Sequence, residues 1–440
     1  MLSPLKSPQL RRIIAAYTVN RLGTWFGYVA LSLAVFDHTH SALAVAALLV
    51  SGQALPAFLV PALVARIESS QRRGELSGLY FVEAVTTAAL AILLSHFWLP
   101  GMLLLVALDG TAALAASALL RAEAARAARE QAQVDWDPEG GDKDLETFAQ
   151  AAERKANATL NIAFSATFML GPALGGVLVA AAGAPAALFI DVASFLICGT
   201  LLSNLQPHVE AAGSSVRARL RAAWSHINEV PSLRALLLVE AVALVFAESA
   251  GPIEVAYAKA TLHAGDRGFG LLVGSWGAGA VLGSLVFARS VRRPLGGLLS
   301  VGTLAVGLAY LGYAASPSLW LACGAALFGG IGNGVELPSL TSIVQRITPP
   351  HLHAQMMGAI ESLVALCVTI ALPLGGILVA FSSPRGAFLV VGLGAVATST
   401  VLFRLSRRRL ESAENDEART PATESDMLTP ESATAHTRVL

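Results

Sequence analysis

Apolar runs of twenty or more residues recur along the chain, separated by short polar islands that hold nearly all of the charge. A helix needs about 20 apolar residues to cross a hydrocarbon layer roughly 30 Å thick. Inside that layer the backbone must satisfy its own hydrogen bonds, which leaves helices or closed barrels. The runs lack the alternation over about ten residues that barrel strands show. The pattern therefore predicts an all-α polytopic membrane protein with about twelve spans. They fall at 13–36, 42–65, 74–95, 99–120, 157–181, 184–204, 232–257, 268–289, 295–315, 318–343, 355–381 and 386–405. The seventh carries Glu240, Glu248 and Glu254, and the tenth is glycine-rich from Gly329 to Gly334.

Two longer polar stretches and a tail complete the organisation. Residues 121–156 read as an insertion that begins helix-forming at Arg121 and passes through Asp135, Pro138 and Gly140. Residues 205–231 divide the chain near its middle, giving an N-terminal bundle over 1–204 and a C-terminal one over 232–405. The tail from Ser406, rich in Glu, Thr, Ser and Ala, is expected to be disordered.

Charge adds an orientation. Of the 30 Lys and Arg residues, twenty-six fall in the segments on one side of a twelve-span layout, and Lys259, Arg267 and Arg385 on the other; Arg21 lies within a span. Basic residues mark cytoplasmic loops, so both termini are expected in the cytoplasm and the protein in the cytoplasmic (inner) cell membrane. Met1 to Arg12 precedes an apolar run without a cleavage-site pattern and reads as the lead-in to an uncleaved first span. Overall, 55% of residues are hydrophobic and 14% charged, with acids and bases balanced at 30 each. That balance gives no sign of a nucleic-acid partner. Cys198, Cys323 and Cys367 each sit in an apolar run and read as buried small hydrophobes.

The two halves repeat. Leu174-Gly175-Gly176-Val177 returns 200 residues later as Leu374-Gly375-Gly376-Ile377, each copy preceded by a proline, Pro172 or Pro373. Ala65-Arg66 with Arg72 and Arg73 after the second span matches Ala288-Arg289 with Arg292 and Arg293 after the eighth. This arrangement resembles the major facilitator superfamily. Gly171-Pro172-Ala173-Leu174-Gly175-Gly176 resembles the Gly-Pro motif of its exporter branches. Ser41-Ala42-Leu43-Ala44 and Ala156-Asn157-Ala158 are similar to segments of exporters of the macrolide-efflux and enterobactin-export type. The resemblance covers roughly residues 10–405. It implies two six-helix bundles and a central pathway lined by spans one, four, seven and ten. Ala65 and Ala288 depart from it, standing where an acidic residue is usual, and Asp109-Gly110 occupies the fourth span in place of an arginine.

Ionisable groups in mid-membrane cost about 2.5–3.5 kcal/mol each on insertion scales, so each needs a reason to be there. Asp109, Glu248, Glu240 and Arg21 are the candidates for a proton-coupling or substrate pathway. Arg21 can steady a carboxylate or meet an anionic solute. Glu254 reads as interfacial, Glu83 as a structural contact at the periphery, and Asp191, Glu336 and Glu361 as lying nearer span ends. Gly171, Pro172, Gly175 and Gly176 are the candidate bend and packing motif, and Arg66, Arg72, Arg73, Arg289, Arg292 and Arg293 the basic loop motif. The pairs His38/His40 and His351/His353 lack further ligands, so no metal site is expected, and no cofactor. No phosphate-binding Gly-Lys loop occurs, so an ion gradient is the expected energy source.

The expected function is secondary active export of a small amphipathic or hydrophobic compound by proton-coupled alternating access, in a monomer without enzyme activity. Trp25, Phe26, Tyr28 and Trp276 suit such a solute. Two alternatives share the fold: an importer of a metabolite or lipid-like solute, and a non-transporting receptor or assembly component.

Overall fold

The computed structural model describes residues 7–53, 56, 75–136, 145–203, 224–290, 293–349 and 352–417, which are helical apart from connecting turns. The helices are α1 Pro8–Thr39, α2 Ala42–Gln53, α3 Glu75–Leu93, α4 Leu99–Asp135, α5 Leu145–Ala182 and α6 Ala184–Leu201. The second set is α7a Pro231–Glu248 with α7b Ala250–Ala256, α8 Gly265–Arg289, α9 Leu295–Ala315, α10 Leu319–Ile347, α11 His353–Phe381 and α12 Pro384–Glu417. Among the described residues, nine helices are long and apolar enough to cross a membrane. α1, the described part of α2 and α10 pack beside them. α1 and α10 carry the polar residues Asn20, Arg21, Asn333 and Glu336.

Local chemistry sets the helix ends. Ser7 caps α1, its Oγ accepting from the Leu10 N–H with Pro8 in the first turn. α1 stops at His40, whose φ of 48° turns the chain left-handed. Ser41 Oγ then accepts the Ala44 N–H at 3.3 Å and starts α2. α7 is interrupted in mid-span. Pro252 has no N–H to give the Glu248 carbonyl one turn back, and the helix breaks after Glu248. It closes with a π-helical turn over Tyr257–Thr261.

Packing repeats with a period of six helices. In the first half α1 packs on α5 and α6, and α3 on α4 and α6. In the second, α7 packs on α11 and α12, and α9 on α10 and α12. The two six-helix bundles meet where α5 crosses α8 and where α2 approaches α11. Exposed apolar side chains such as Val85, Leu104, Ile162 and Leu238 form the outer surface. This is the inverse of a soluble protein and fits a lipid surround.

Two sequence expectations need correction. Residues 121–135 and 145–156, read from the sequence as parts of an insertion, continue α4 and α5 as helix. α4 and α5, at 37 and 38 residues, are each ~55 Å long and run on well past a ~30 Å hydrocarbon layer. Their extensions pack through small side chains, Ala124, Ala127, Ala128 and Ala132 with Ala149, Ala152 and Ala156. Arg129 pairs with Glu153 at 2.9 Å. Alanine is both the best helix former and small enough for close approach, so an alanine-rich polar stretch continues the helices instead of looping. The tail is likewise helical through Glu417, since residues 406–417 are mostly Arg, Leu, Glu and Ala.

Candidate functional site

Two adjoining cavities lie within the bundle. The central one, of about 390 Å³, sits between the halves and is lined by residues from both. The second, of about 330 Å³, lies inside the first half among α1, α2, α3, α4 and α6. Arg21, Tyr28 and Gln53 line both.

The central cavity has aromatic walls. Trp25 on α1 stands 5.1 Å from Phe168 on α5 and 5.6 Å, edge-on, from Tyr28. Across the cavity Trp276 on α8 stacks on Tyr310 of α9 at 5.5 Å. The Tyr310 hydroxyl donates to the Ala247 carbonyl at 2.9 Å, fastening this wall to α7 just before its break. Trp25 lies so close to Gly171 that a Cβ there would come within 2.6 Å of it. The first glycine of the Gly-Pro motif thus makes room for an aromatic wall of the cavity.

The broken seventh span supplies the charge. Glu248 is the last residue of α7a and Glu254 follows on α7b, and both line the central cavity. Glu248 was expected on the pathway. Glu254 was expected at the interface and stands instead beside Glu248, because the break at Ser249 redirects the helix. Arg21 lines the cavity too, with its guanidinium 5.5 Å above the Tyr17 ring and 5.2 Å from that of Phe164. Among the described residues Arg21 makes no ion pair, so of its two readings the direct steadying of a carboxylate is not what the structure shows.

Asp109 opens into the second cavity, not the central one. Its Oδ1 accepts hydrogen bonds from Thr86 at 2.7 Å and Thr87 at 3.1 Å, both on α3. Glu83 and Asp191 line the same cavity and are buried, which overturns their placement at the periphery and near a span end. Asp191 fits because α1 carries glycine opposite it; a Cβ at Gly27 would lie 2.6 Å from its Oδ2. Glu240 takes neither route. It is buried within hydrogen-bonding reach of Glu336, which accepts a hydrogen bond from Thr303 at 2.8 Å.

The halves are joined at the sparsely charged face. Lys259, at the end of the seventh span, reaches Asp37 on α1 at 2.7 Å and Asp266 on α8 at 2.5 Å. Below this link Gly176 on α5 and Gly270 on α8 meet backbone to backbone. A Cβ on Gly176 would come 2.8 Å from the Gly270 Cα, and one on Gly270 2.6 Å from the Pro172 carbonyl. The matching crossing sets Gly376 of α11 against Leu43 and Ala46 of α2. Gly175 instead faces Val29 and Phe26 of α1. Arg289 ends α8, and Arg293 lies in a groove with Arg346 at the opposite face. Arg66, Arg72, Arg73 and Arg292 lie outside the described residues. Among the described residues no group of His, Cys, Asp and Glu is placed to hold a metal ion.

Two bundles of helices around a shared polar and aromatic cavity define the class, a polytopic α-helical membrane protein. The Major Facilitator Superfamily profile matches residues 236–436. The multidrug efflux pump Tap of Mycobacterium tuberculosis (strain ATCC 25618 / H37Rv) is 26% identical over 267 residues, covering 57% of this chain and 61% of that protein. The uncharacterized MFS-type transporter YjbB of Bacillus subtilis (strain 168) is 23% identical over 261 residues, covering 58% and 64%. The matches thus span less than two thirds of these relatives' own length. Among solved structures, the nucleoside transporter NupG aligns with a TM-score of 0.70 at 13% identity, over 90% of this chain and 99% of that one. A bacterial homologue of the iron transporter ferroportin in an inward-facing state aligns at 0.67 and 17% identity, over 92% and 100%. The second half of the chain thus resembles the Major Facilitator Superfamily in sequence, the whole shares the fold of these solved structures, and its apolar helices make it a multi-pass membrane protein.

Proposed function

We propose that this protein is a transporter that exports amphipathic, positively charged organic compounds across the cytoplasmic membrane in exchange for protons. It works as a monomer with both termini in the cytoplasm. The carrying observation is the central cavity, where aromatic faces from both halves flank the carboxyl groups of Glu248 and Glu254. Aromatic faces attract a desolvated cation by about 2 kcal/mol, and a carboxylate at the same site adds charge recognition. The similarity to an efflux pump supports the outward direction. The asymmetry of basic loops supports the orientation, which places the joined face outside. No nucleotide-binding loop is present in the sequence, which leaves an ion gradient as the energy source.

The test is accumulation of tetraphenylphosphonium, a lipophilic aromatic cation, in cells with and without the protein. Expression is expected to lower accumulation in a way that a proton uncoupler reverses. Glu248→Gln is expected to weaken cation binding about tenfold, the equivalent of ~1.4 kcal/mol. Higher accumulation on expression would mean import, and no change with this cation would refute the substrate class.

A further inference from the structure

Among the described residues, three carboxyl groups line the cavity of the first half against a single guanidinium. Glu83 on α3, Asp109 on α4 and Asp191 on α6 line it together with Arg21. Two of them are supplied with donors: Asp109 by Thr86 and Thr87, and Asp191 by Ser194 at 3.2 Å. Glu83 is not. The residue is 1% exposed and lines the cavity, yet among the described residues its Oε1 has no hydrogen-bond partner. A buried carboxyl oxygen left without a donor destabilises the fold unless something else occupies the gap.

The surrounding groups do not fill it. The charged neighbours of Glu83 are Asp109, Asp191 and Arg21, with Tyr80, Tyr17 and Cys198 as the other titratable side chains nearby. Arg21 is held over the rings of Tyr17 and Phe164 and pairs with none of the three acids. Among the described residues the cluster thus sets three acid groups beside one cation. The fold also makes space for it at the expense of helix packing, since Gly27 stands where any side chain would collide with Asp191.

We propose that this cavity binds the monovalent cation, H⁺ or Na⁺, whose gradient drives transport, with Glu83 and Asp191 as its ligands beside Asp109. The inference rests on the transport function proposed above and adds a coupling site separate from the solute cavity. Among the described residues no group of three acid, His or Cys side chains is placed to hold a metal ion, which favours the proton over Na⁺. Arg21 supplies the link, since it lines both cavities. A cation in the first-half cavity repels the guanidinium toward the central one, where it opposes a positively charged solute. Departure of the cation draws it back. Occupancy of each cavity thus disfavours the other, and this mutual opposition is what exchange requires.

Two measurements on the full chain test this. In the first, the melting midpoint of purified protein is followed against pH, and against NaCl replaced by choline chloride at fixed pH. The wild type is expected to respond to one of the two, which identifies the ion, and Glu83→Gln/Asp191→Asn is expected to lose that response. A wild type indifferent to both ions, or a double variant with an undiminished response, overturns the proposal. If the double variant fails to fold, Glu83→Gln alone is read in the same way. In the second, proteoliposomes carrying tetraphenylphosphonium compare solute exchange with gradient-driven movement. Glu83→Gln is expected to keep exchange and to lose driven movement about tenfold or more, whereas Glu248→Gln loses both; 1.4 kcal/mol of coupling corresponds to that factor. Equal loss of exchange and driven movement in Glu83→Gln overturns the coupling role. If the wild type moves no tetraphenylphosphonium, the substrate reading falls while the melting response still decides the cation site.

Discussion

At the scale of single residues, the two cavities divide the polar chemistry by the donors each group finds. Glu248 is free to face the central cavity because α7 breaks directly after it. Trp276 owes its pose to the stack with Tyr310, which is itself tied to Ala247. Trp276→Ala should remove one cation-attracting face, weakening tetraphenylphosphonium binding about five- to thirtyfold, or ~1–2 kcal/mol. Intrinsic fluorescence quenching measures this, and an unchanged affinity would remove that wall from the site. Asp109, Glu248 and Arg21 are legible in the sequence because each interrupts an apolar run at a cost. Glu83 and Asp191 are not, because distance from a span end says nothing about which helix a side chain meets. The visible hint is Gly23 followed by Gly27 on α1, a spacing of small residues that signals close approach on one face. What approaches is α6 with Asp191, and that pairing is set by three-dimensional packing alone.

At the scale of elements, the Gly-Pro stretch of α5 works mainly as a contact surface. α5 passes through Pro172 as one helix, and its glycines divide their contacts between α1 and α8. Gly176→Leu should force α5 and α8 apart at the joined face, since a side chain there meets Gly270 backbone. The expected result is normal membrane insertion with transport reduced about tenfold or more, on the order of 1.4 kcal/mol against closure. Transport at the wild-type rate would show that the crossing need not close. The repeat of Leu174–Val177 at Leu374–Ile377 announces this arrangement in the sequence, because both copies sit at crossings between the halves. The break of α7 was harder to read. Gly251-Pro252 falls inside the apolar run read as 232–257, which the hydrophobic pattern alone carries through as one span. Its contacts with α11 and α9, through Gly375 and Tyr310, carry it onward past the break.

At the scale of the whole molecule, the halves are held by the Asp37–Lys259–Asp266 link and the glycine crossings at one face. Lys259→Met removes the charge that spans α1 and α8. A partly exposed ion pair contributes about 1 kcal/mol at most, so the equilibrium should shift up to about fivefold toward opening at that face. Thiol labelling of a cysteine placed at Ala34, in a variant lacking Cys198, Cys323 and Cys367, reports the change as faster modification. Unaltered labelling would assign the link to local stability alone. The alternation of apolar runs and basic islands made the membrane architecture readable at this scale, while the helical length of the α4–α5 extension was hidden by its polar composition.

The most direct test of the account is to lock the halves together where they meet. A Cβ at Gly274 lies 2.9 Å from that of Ala173, so Ala173→Cys with Gly274→Cys, in the variant without native cysteines, can be joined by mild oxidation. Transport should stop on oxidation and return on reduction. Undiminished transport with α5 and α8 covalently joined would contradict the claim that solute crosses by separation of the two bundles.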